Sequence, residues 1–554
     1  MKTLFRNIFL IGVLFCTMTS CTNFLTEDPK GKLMTDSFFS SPSDLDGAIN
    51  QLYNVVANYV FSSNHTSCGN LLAGDDVTTR AGANKQPLRE FDLCSVYESN
   101  AWYSYPWGAY FQMVKSANFI INNAGKTPGV SETDIKATLA QAYYWRAFAY
   151  FYLVRSYGQL PIMLKEEIKF DTPLSSEQEV YDLIVSDLKI AEADLPVKYT
   201  KMPYIQNGIN RAVCQPAAKA TLGLVYMTMA GWPLNKGNEY YILAAAKLKE
   251  VVDGVESGSY QYSLFDAYWK VYSQTFNYSN TELLLGVYFT RDNWEGTTAS
   301  VCDMPGDMAC GGWNDVCGEI KFWKEFPDGP RKDATYLPKL LTTDGKLIDW
   351  WDELPDADGK ATRTDILAPF FMKTAEMPER GVEFDYTKID TYLPEIGEKT
   401  RQLIRLSQVY CWYAECVGRS GQTNALAVDV LNRVRNRADG KATNLYTTGM
   451  SASALAEAAY NEHGWEIAGY YWDALASRYH DMRRMNRVKD HFEYRKQNPL
   501  IEVAPGVWRK EKVDFATTVG NGDNTWHDWR MYLPYPLSDA QLNPALAAEN
   551  KKRN

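Results

Sequence analysis

Histidine is scarce in this chain, and what there is has no catalytic arrangement. The five histidines (65, 463, 480, 491 and 527) form no HExxH and no paired ligand spacing, so zinc chemistry finds no support. A G-x-S-x-G nucleophile turn, a glycine-rich phosphate loop and a dinucleotide fingerprint are all missing. Ten cysteines include no CxxC pair, and their spacings do not suit zinc. No apolar run is long enough to stay in a bilayer as a permanent span. Positive charge is thin as well. The net charge is −10 and no extended basic cluster occurs, which argues against a nucleic-acid partner. Asp75-Asp76 and the group Asp349, Asp352 and Glu353 are acidic enough for a glycosidase, but no sequence rule separates a catalytic pair from solvated loop acids. In Asp-Ala-Asp-Gly (356–359) Leu354 stands where a calcium loop needs its first ligand, so this stretch reads as a turn. The expectation is a chain with no catalytic residue, metal or cofactor.

Aromatic residues are what the chain has in plenty: 16 Trp and 36 Tyr, enough for a large core with rings left over for surfaces. The 554 residues allow two to four domains by length alone. At the start, Lys2 and Arg6 precede a short apolar run from Ile8 to Phe15, and Met18-Thr19-Ser20-Cys21 resembles a lipobox. Residues 1–20 therefore read as a lipoprotein signal peptide, with cleavage before Cys21 and acylation of that cysteine; an ordinary secretory signal cut nearby is the plainer alternative. Buried thiols are the expectation for most remaining cysteines. A local disulfide among Cys302, Cys310 and Cys317 is left open by their Gly-rich surroundings in an exported chain.

The stretch from Gln141 to Pro161 sets the fold class. Tyr143, Ala147, Tyr150, Val154 and Tyr157 step by four, three, four and three, which places them on one stripe of a helix. Trp145, Ala149 and Tyr152 form a second apolar stripe, so neighbours wrap this helix on more than one side. Gly158 and Pro161 close it. Further helices are read at Glu177 to Leu195, Pro216 to Ala230, Tyr240 to Val252, Arg401 to Val417 and within Glu462 to Arg484. Small-residue helices alternate with amphipathic ones, in the manner of degenerate tetratricopeptide repeats. Residues 62–106 hold no period, and 255–400 is a loop-rich lobe in which Glu282 to Phe289 alternates weakly enough for a strand. Asn100, Trp102, Tyr103 and Tyr105 sit in a non-helical loop, where the rings cannot all be internal. Trp107, Trp145 and Trp412 lie on helices and read as core; Trp102, Trp294 and Trp313 are open to either reading.

The same residues carry a resemblance. Arg146-Ala147-x2-Tyr150-x2-Leu153-x3-Tyr157-Gly158-x2-Pro161 resembles the signature helix of the SusD/RagB family, the surface lipoproteins with which Bacteroidetes capture nutrients. Asn432-x-Val434-Arg435-x-Arg437-Ala438 and the closing Pro534-Tyr535-Pro536 with Asn543-Pro544-x-Leu546 and Asn550 also resemble the family pattern. Between Glu462-x3-Glu466-Ile467 and Arg478-x2-Asp481-Met482-x-Arg484 the chain departs from it by five extra residues, with His463 in place of an Arg.

The resemblance implies a mainly α fold: a right-handed array of tetratricopeptide-like helix pairs with an irregular lobe carrying a few short strands. The expected organisation is a helical region at 21–254 and a second region at 255–554, whose 255–400 part is the irregular lobe, packed as one unit. It further implies a non-enzymatic, lipid-anchored outer-membrane protein that binds glycan and passes it to a SusC-like TonB-dependent transporter. A peptide-binding helical repeat is the alternative, and a surface glycoside hydrolase is disfavoured because such enzymes use barrel scaffolds. Carried onto this sequence, the family's ligand platform falls on Asp76, Arg80, Asn100, Trp102 and Tyr103, then Trp294 or Trp313.

Overall fold

Helix ends lie where the sequence supplies partners for the backbone. In the computed structural model, Ser131 accepts a hydrogen bond from the Asp134 amide at 3.1 Å and starts the longest inner helix. Glu132 and Asp134 add negative charge to its first turn, where the helix dipole favours it. The helix stops at Gly158, whose φ of 80° suits glycine; a Cβ there would come within 3.1 Å of the Tyr532 ring. Ser176 and Glu179 form a reciprocal capping box at the next helix.

The structure describes residues 38–553 apart from 63–68, 80–82, 167–168, 201–203, 207, 292–295, 299–301, 306–311, 354–366, 378–384, 389–395, 472–473 and 511–524. The acylation site at Cys21 therefore lies outside the described residues, as do Arg80, Trp294 and the 356–359 turn. The first half carries α1 (Pro42–Asn54), α2 (Gln86–Asp92), α3 (Tyr105–Asn123), α4 (Glu132–Tyr157), α5 (Glu177–Asp194), α6 (Gln215–Ala230) and α7 (Asn238–Glu256). Two short helices, α8 (Ile320–Glu325) and α9 (Pro330–Thr335), lie in the irregular lobe. Then come α10 (Leu406–Arg419), α11 (Ala425–Asp439), α12 (Ala452–Ile467), α13 (Arg478–Arg484) and α14 (Val488–Gln497), with α15 (Leu537–Leu542) and α16 (Pro544–Arg553) at the end. No helix among the described residues is long and apolar enough to cross a membrane.

Side-chain partners show consecutive helices packing antiparallel. Trp107 meets Tyr157 and Tyr110 stacks on Tyr152 at 3.9 Å between α3 and α4. Phe151 meets Tyr181, and Arg146 grips Asp187 with two hydrogen bonds of 2.8 Å, between α4 and α5. Arg146 thus works inside the array, and so does Arg435, which pairs with Asp439 and Glu462. Tyr226 meets Tyr240 between α6 and α7, and Gly223 lies against Leu248. Gly418 brings α10 so close to α12 that a Cβ would sit 2.6 Å from the Ala456 amide. The mainly helical array read from the sequence is the observed architecture. One large core joins these helices, and Trp107, Trp145 and Trp412 are buried in it.

One sequence expectation changes, and one question that the sequence left open narrows. The segment Arg401–Arg405, read as the start of a helix, is a strand paired antiparallel with Leu283–Val287; every residue of both strands is buried. A strand buried on both faces shows no alternation, so its apolar residues merge with the period of α10 that follows directly. Of the cysteines whose pairing the sequence leaves open, Cys302 and Cys317 are buried thiols with no disulfide between them; Cys310 lies outside the described residues.

Charge is buried at the junction of array and lobe. Glu466 on α12 takes Arg405 at 2.7 Å, Arg437 of α11, and Arg331 of α9 at 3.3 Å. Arg437 and Arg405 also meet Glu282, and Arg331 meets Glu462 at 2.8 Å. Burial raises the pKa of Glu466, but Arg437, Arg405 and Arg331 outweigh it and hold the carboxyl well below the usual range. Removing this anion leaves three buried guanidiniums to share the carboxylates of Glu282 and Glu462, so Glu466→Ala is expected to cost about 3–5 kcal/mol in chemical denaturation. A loss under about 1 kcal/mol would mean that the cluster does not hold the halves together.

Candidate functional site

The Gly74–Thr79 loop is fixed from inside. Asp75 takes the Arg478 guanidinium through two hydrogen bonds of 2.6 and 3.0 Å. Asp76, 3 % exposed, accepts the Gly469 amide at 2.8 Å, and its carbonyl accepts from the Glu319 amide. Val77–Thr78 then pairs antiparallel with Cys317–Gly318 of the irregular lobe. Arg495 of α14 locks this link by bonding the Val77 and Asp92 carbonyls and the Asp92 and Glu319 carboxylates. Lys85 pairs with Asp315 beside it. Two segments some 240 residues apart are thereby held together, and Trp313 lies four residues before the pairing.

The loop after Tyr97 is braced in the same way. The Asn100 amide group donates to Glu90 at 2.8 Å and to the Pro87 carbonyl, and its oxygen accepts from the Trp102 amide. The Tyr103 hydroxyl accepts from the Leu537 amide at 2.8 Å, and its carbonyl takes the Tyr157 hydroxyl. Asp76, Asn100 and Tyr103 are thus buried, with their polar atoms engaged inside the protein. Trp102 is half-buried and Trp313 is 37 % exposed, so among the described residues these two of the expected set keep ring surface at the outside. Arg80 and Trp294 lie outside the described residues.

A second aromatic assembly, unmarked by any sequence motif, occupies the lobe. Trp323 of α8 stands 5.1 Å from Trp350 at an interplanar angle of 84°, and Trp350 stands 5.1 Å from Trp351 at 81°. They wall an open cleft of about 1140 Å3, together with Tyr336, Leu347 and Met372. The crowding of aromatics in 313–336 and 349–360 was the available signal. The 26 positions between Trp323 and Trp350 carry no period that would join them.

An array of antiparallel helices carrying an irregular lobe with exposed rings is a binding scaffold by its geometry. The comparisons with known proteins agree. A family model described as starch-binding and associating with the outer membrane matches residues 23–227, and the SusD family model matches 374–551. The chain belongs to the SusD/RagB family. It is similar to SusD-like protein P25 of Formosa agariphila, 23 % identical over 583 residues and 99 % of each chain. A solved SusD homolog from Bacteroides thetaiotaomicron has the same fold, with a TM-score of 0.71 at 17 % identity over 92 % of this chain and 97 % of that one. A structure solved with a xylogluco-oligosaccharide has a TM-score of 0.64 at 20 % identity, over 91 % and 97 %.

Asp76 offers a test of the loop's interior. Burial, and then the neighbouring Asp75 carboxylate, push its carboxyl up to about 7. An acid raised in the folded state binds its proton more tightly there than in the unfolded chain. Its contribution to stability is whole below the ordinary carboxylate pKa of about 4 and drains away as pH rises through about 7. Asp76→Asn keeps an oxygen for the Gly469 amide and cannot ionise. In paired denaturation curves it is expected to gain on the native chain between about pH 5 and pH 8. A difference equal at both pH values would mean that Asp76 titrates normally.

Proposed function

We propose that this chain is a non-catalytic glycan-capture protein, held at the outer membrane by lipid on Cys21, that delivers oligosaccharide to a SusC-type TonB-dependent transporter. The observation that carries the reading is the Val77–Thr78 pairing with Cys317–Gly318, which unites the Asp75-Asp76 loop with the Trp313 segment. A flat ring buries the apolar C–H face of a sugar, and polar groups at its edge orient the hydroxyls. In this reading Trp102 and Trp313 supply rings, while Asp76, Asn100 and Tyr103 hold the loops still beneath them. Arg80 and Trp294 complete the proposed set. Family membership and the fold shared with a protein solved with a xylogluco-oligosaccharide support the ligand class. Loops fixed by buried hydrogen bonds also suit capture, because a preorganised surface loses little entropy when ligand arrives.

The test is migration of the purified chain in native gels cast with plant, host and microbial polysaccharides, with reducing ends assayed in parallel. The expected result is retardation in one polysaccharide without new reducing ends, weakened about tenfold or more by Trp102→Ala. New reducing ends would defeat the non-catalytic reading, and unchanged migration in every gel would turn the assignment towards peptide. Anchoring has its own readout. Cys21→Ala is expected to move the protein from the membrane fraction to the soluble fraction, whereas an unchanged distribution would remove the lipid from the account.

A further inference from the structure

We propose that the cleft walled by Trp323, Trp350 and Trp351 is a second saccharide subsite, suited to an uncharged, hydroxyl-rich chain. The ligand class rests on the glycan-capture reading; the place and the charge preference rest on the cleft itself. None of Asp76, Asn100, Trp102, Tyr103 and Trp313 lines it. Helix α8 stands between two environments, with Phe322 buried in the main core and Ile320 in the small core of the lobe.

The rings are held rigid. Trp350, 4 % exposed, sits edge-on to both neighbours and stops them turning, while Trp323 and Trp351 are half-buried. Arg509 donates two hydrogen bonds, of 2.9 and 2.6 Å, to the Trp351 carbonyl and so fixes that backbone. Fixed indoles with accessible surface are what a sugar's C–H face needs, since little side-chain entropy is lost on stacking. The volume, about 1140 Å3, lies above the usual range of roughly 300–1000 Å3 for small-molecule pockets and suits a run of several sugars.

The charges around the cleft cancel. Lys324, Lys332 and Lys339 line it together with Asp328, Asp333 and Asp385. Lys332 pairs with Asp328 at 2.9 Å and lies 4.5 Å from the Trp323 ring centre; Lys339 pairs with Asp349 at 2.6 Å, and Asp385 with Lys388 at 3.0 Å. A polyanion meets no net positive field here, and a polycation no negative one. Paired ammonium and carboxylate groups present donors and acceptors side by side, the combination that sugar hydroxyls use in both directions.

The experiment uses native gels of the purified chain cast with xyloglucan, galactomannan, starch or polygalacturonate. Retention by a neutral polysaccharide is expected, weakened about tenfold by Trp351→Ala and largely kept by Trp351→Phe. Leu347→Glu provides a companion that leaves the core intact, because Leu347 is an exposed cleft residue; added charge there is expected to weaken retention too. Trp102→Ala combined with Trp351→Ala should lose more than either alone. If Trp351→Ala and Leu347→Glu match the native chain while Trp102→Ala does not, the second subsite is wrong and the capture reading stands. Retention by polygalacturonate alone overturns the preference for an uncharged chain. No retention by any polysaccharide overturns both the subsite and the capture reading.

Discussion

Burying six formal charges where a helical array meets an irregular lobe is costly, because each ion gives up its water and regains that energy only with good geometry. Glu282, Glu462 and Glu466 meet that demand by sharing Arg331, Arg405 and Arg437. The arginines come from a lobe helix, a strand end and an array helix, so the cluster can form only when these segments have arrived together. Apolar side chains of equal volume would bury more cheaply but would tolerate sliding. Forked guanidiniums do not, since their donors match carboxylate oxygens in few orientations. Lys373 lies at the same place, its ammonium donating to the Glu466 carbonyl at 3.3 Å and facing the Tyr272 ring at 4.8 Å. Burial, and then the positive charge of Arg405, push its pKa well below the usual lysine value.

The same device recurs under the candidate site on a smaller scale. Arg478 holds Asp75, Arg495 holds Asp92 and Glu319, and Lys85 holds Asp315. Loops normally tolerate movement because their backbone groups face water. Here the loop backbones are bonded inward, which leaves the tips to carry ring surface without carrying motion. Charged pairs fix the position of these loop segments, and Trp102 and Trp313, which lie in loops of their own, keep part of their surface exposed.

What the sequence made legible follows from interaction range. The inner helix is plain because stripe, cap and stop all lie within one local stretch, and Arg146 reads as structural because α4 is buried on both sides. Its acceptor Asp187 is 41 positions away, and the partner of Arg478 is 403 away, so neither pair has a local signature. The strand Arg401–Arg405 hides for a related reason. Its partner Leu283–Val287 lies across the lobe, and burial on both faces erases the period of two that would reveal it. Trp102 and Trp313 were visible as aromatic residues in loops, whereas the meeting of Trp323 with Trp350 depends on a lobe whose own small core has no periodic trace.

The departure from the family pattern between α12 and α13 has a structural consequence. The segment after Ile467 sends the Gly469 amide to Asp76, the Tyr470 hydroxyl to the Thr400 carbonyl and the Tyr471 hydroxyl to Asp303. Gly469 has φ 73° and lies so close to Phe371 that a Cβ would stand 2.3 Å from its ring, so the bend requires glycine. His463 acts nearby. The Trp412 indole donates to its Nε2 at 3.1 Å, which leaves Nδ1–H to donate to Asp481 at 2.6 Å. Asp481 also holds Arg484, and Arg484 holds Glu415 of α10. The segment thus braces the Asp76 loop from within, while Trp412, His463 and Asp481 form one hydrogen-bonded chain beside it. Length change and residue change fall within one packed neighbourhood, where Gly469, Tyr471, His463 and Asp481 each take a hydrogen-bond partner inside the helical frame or the lobe.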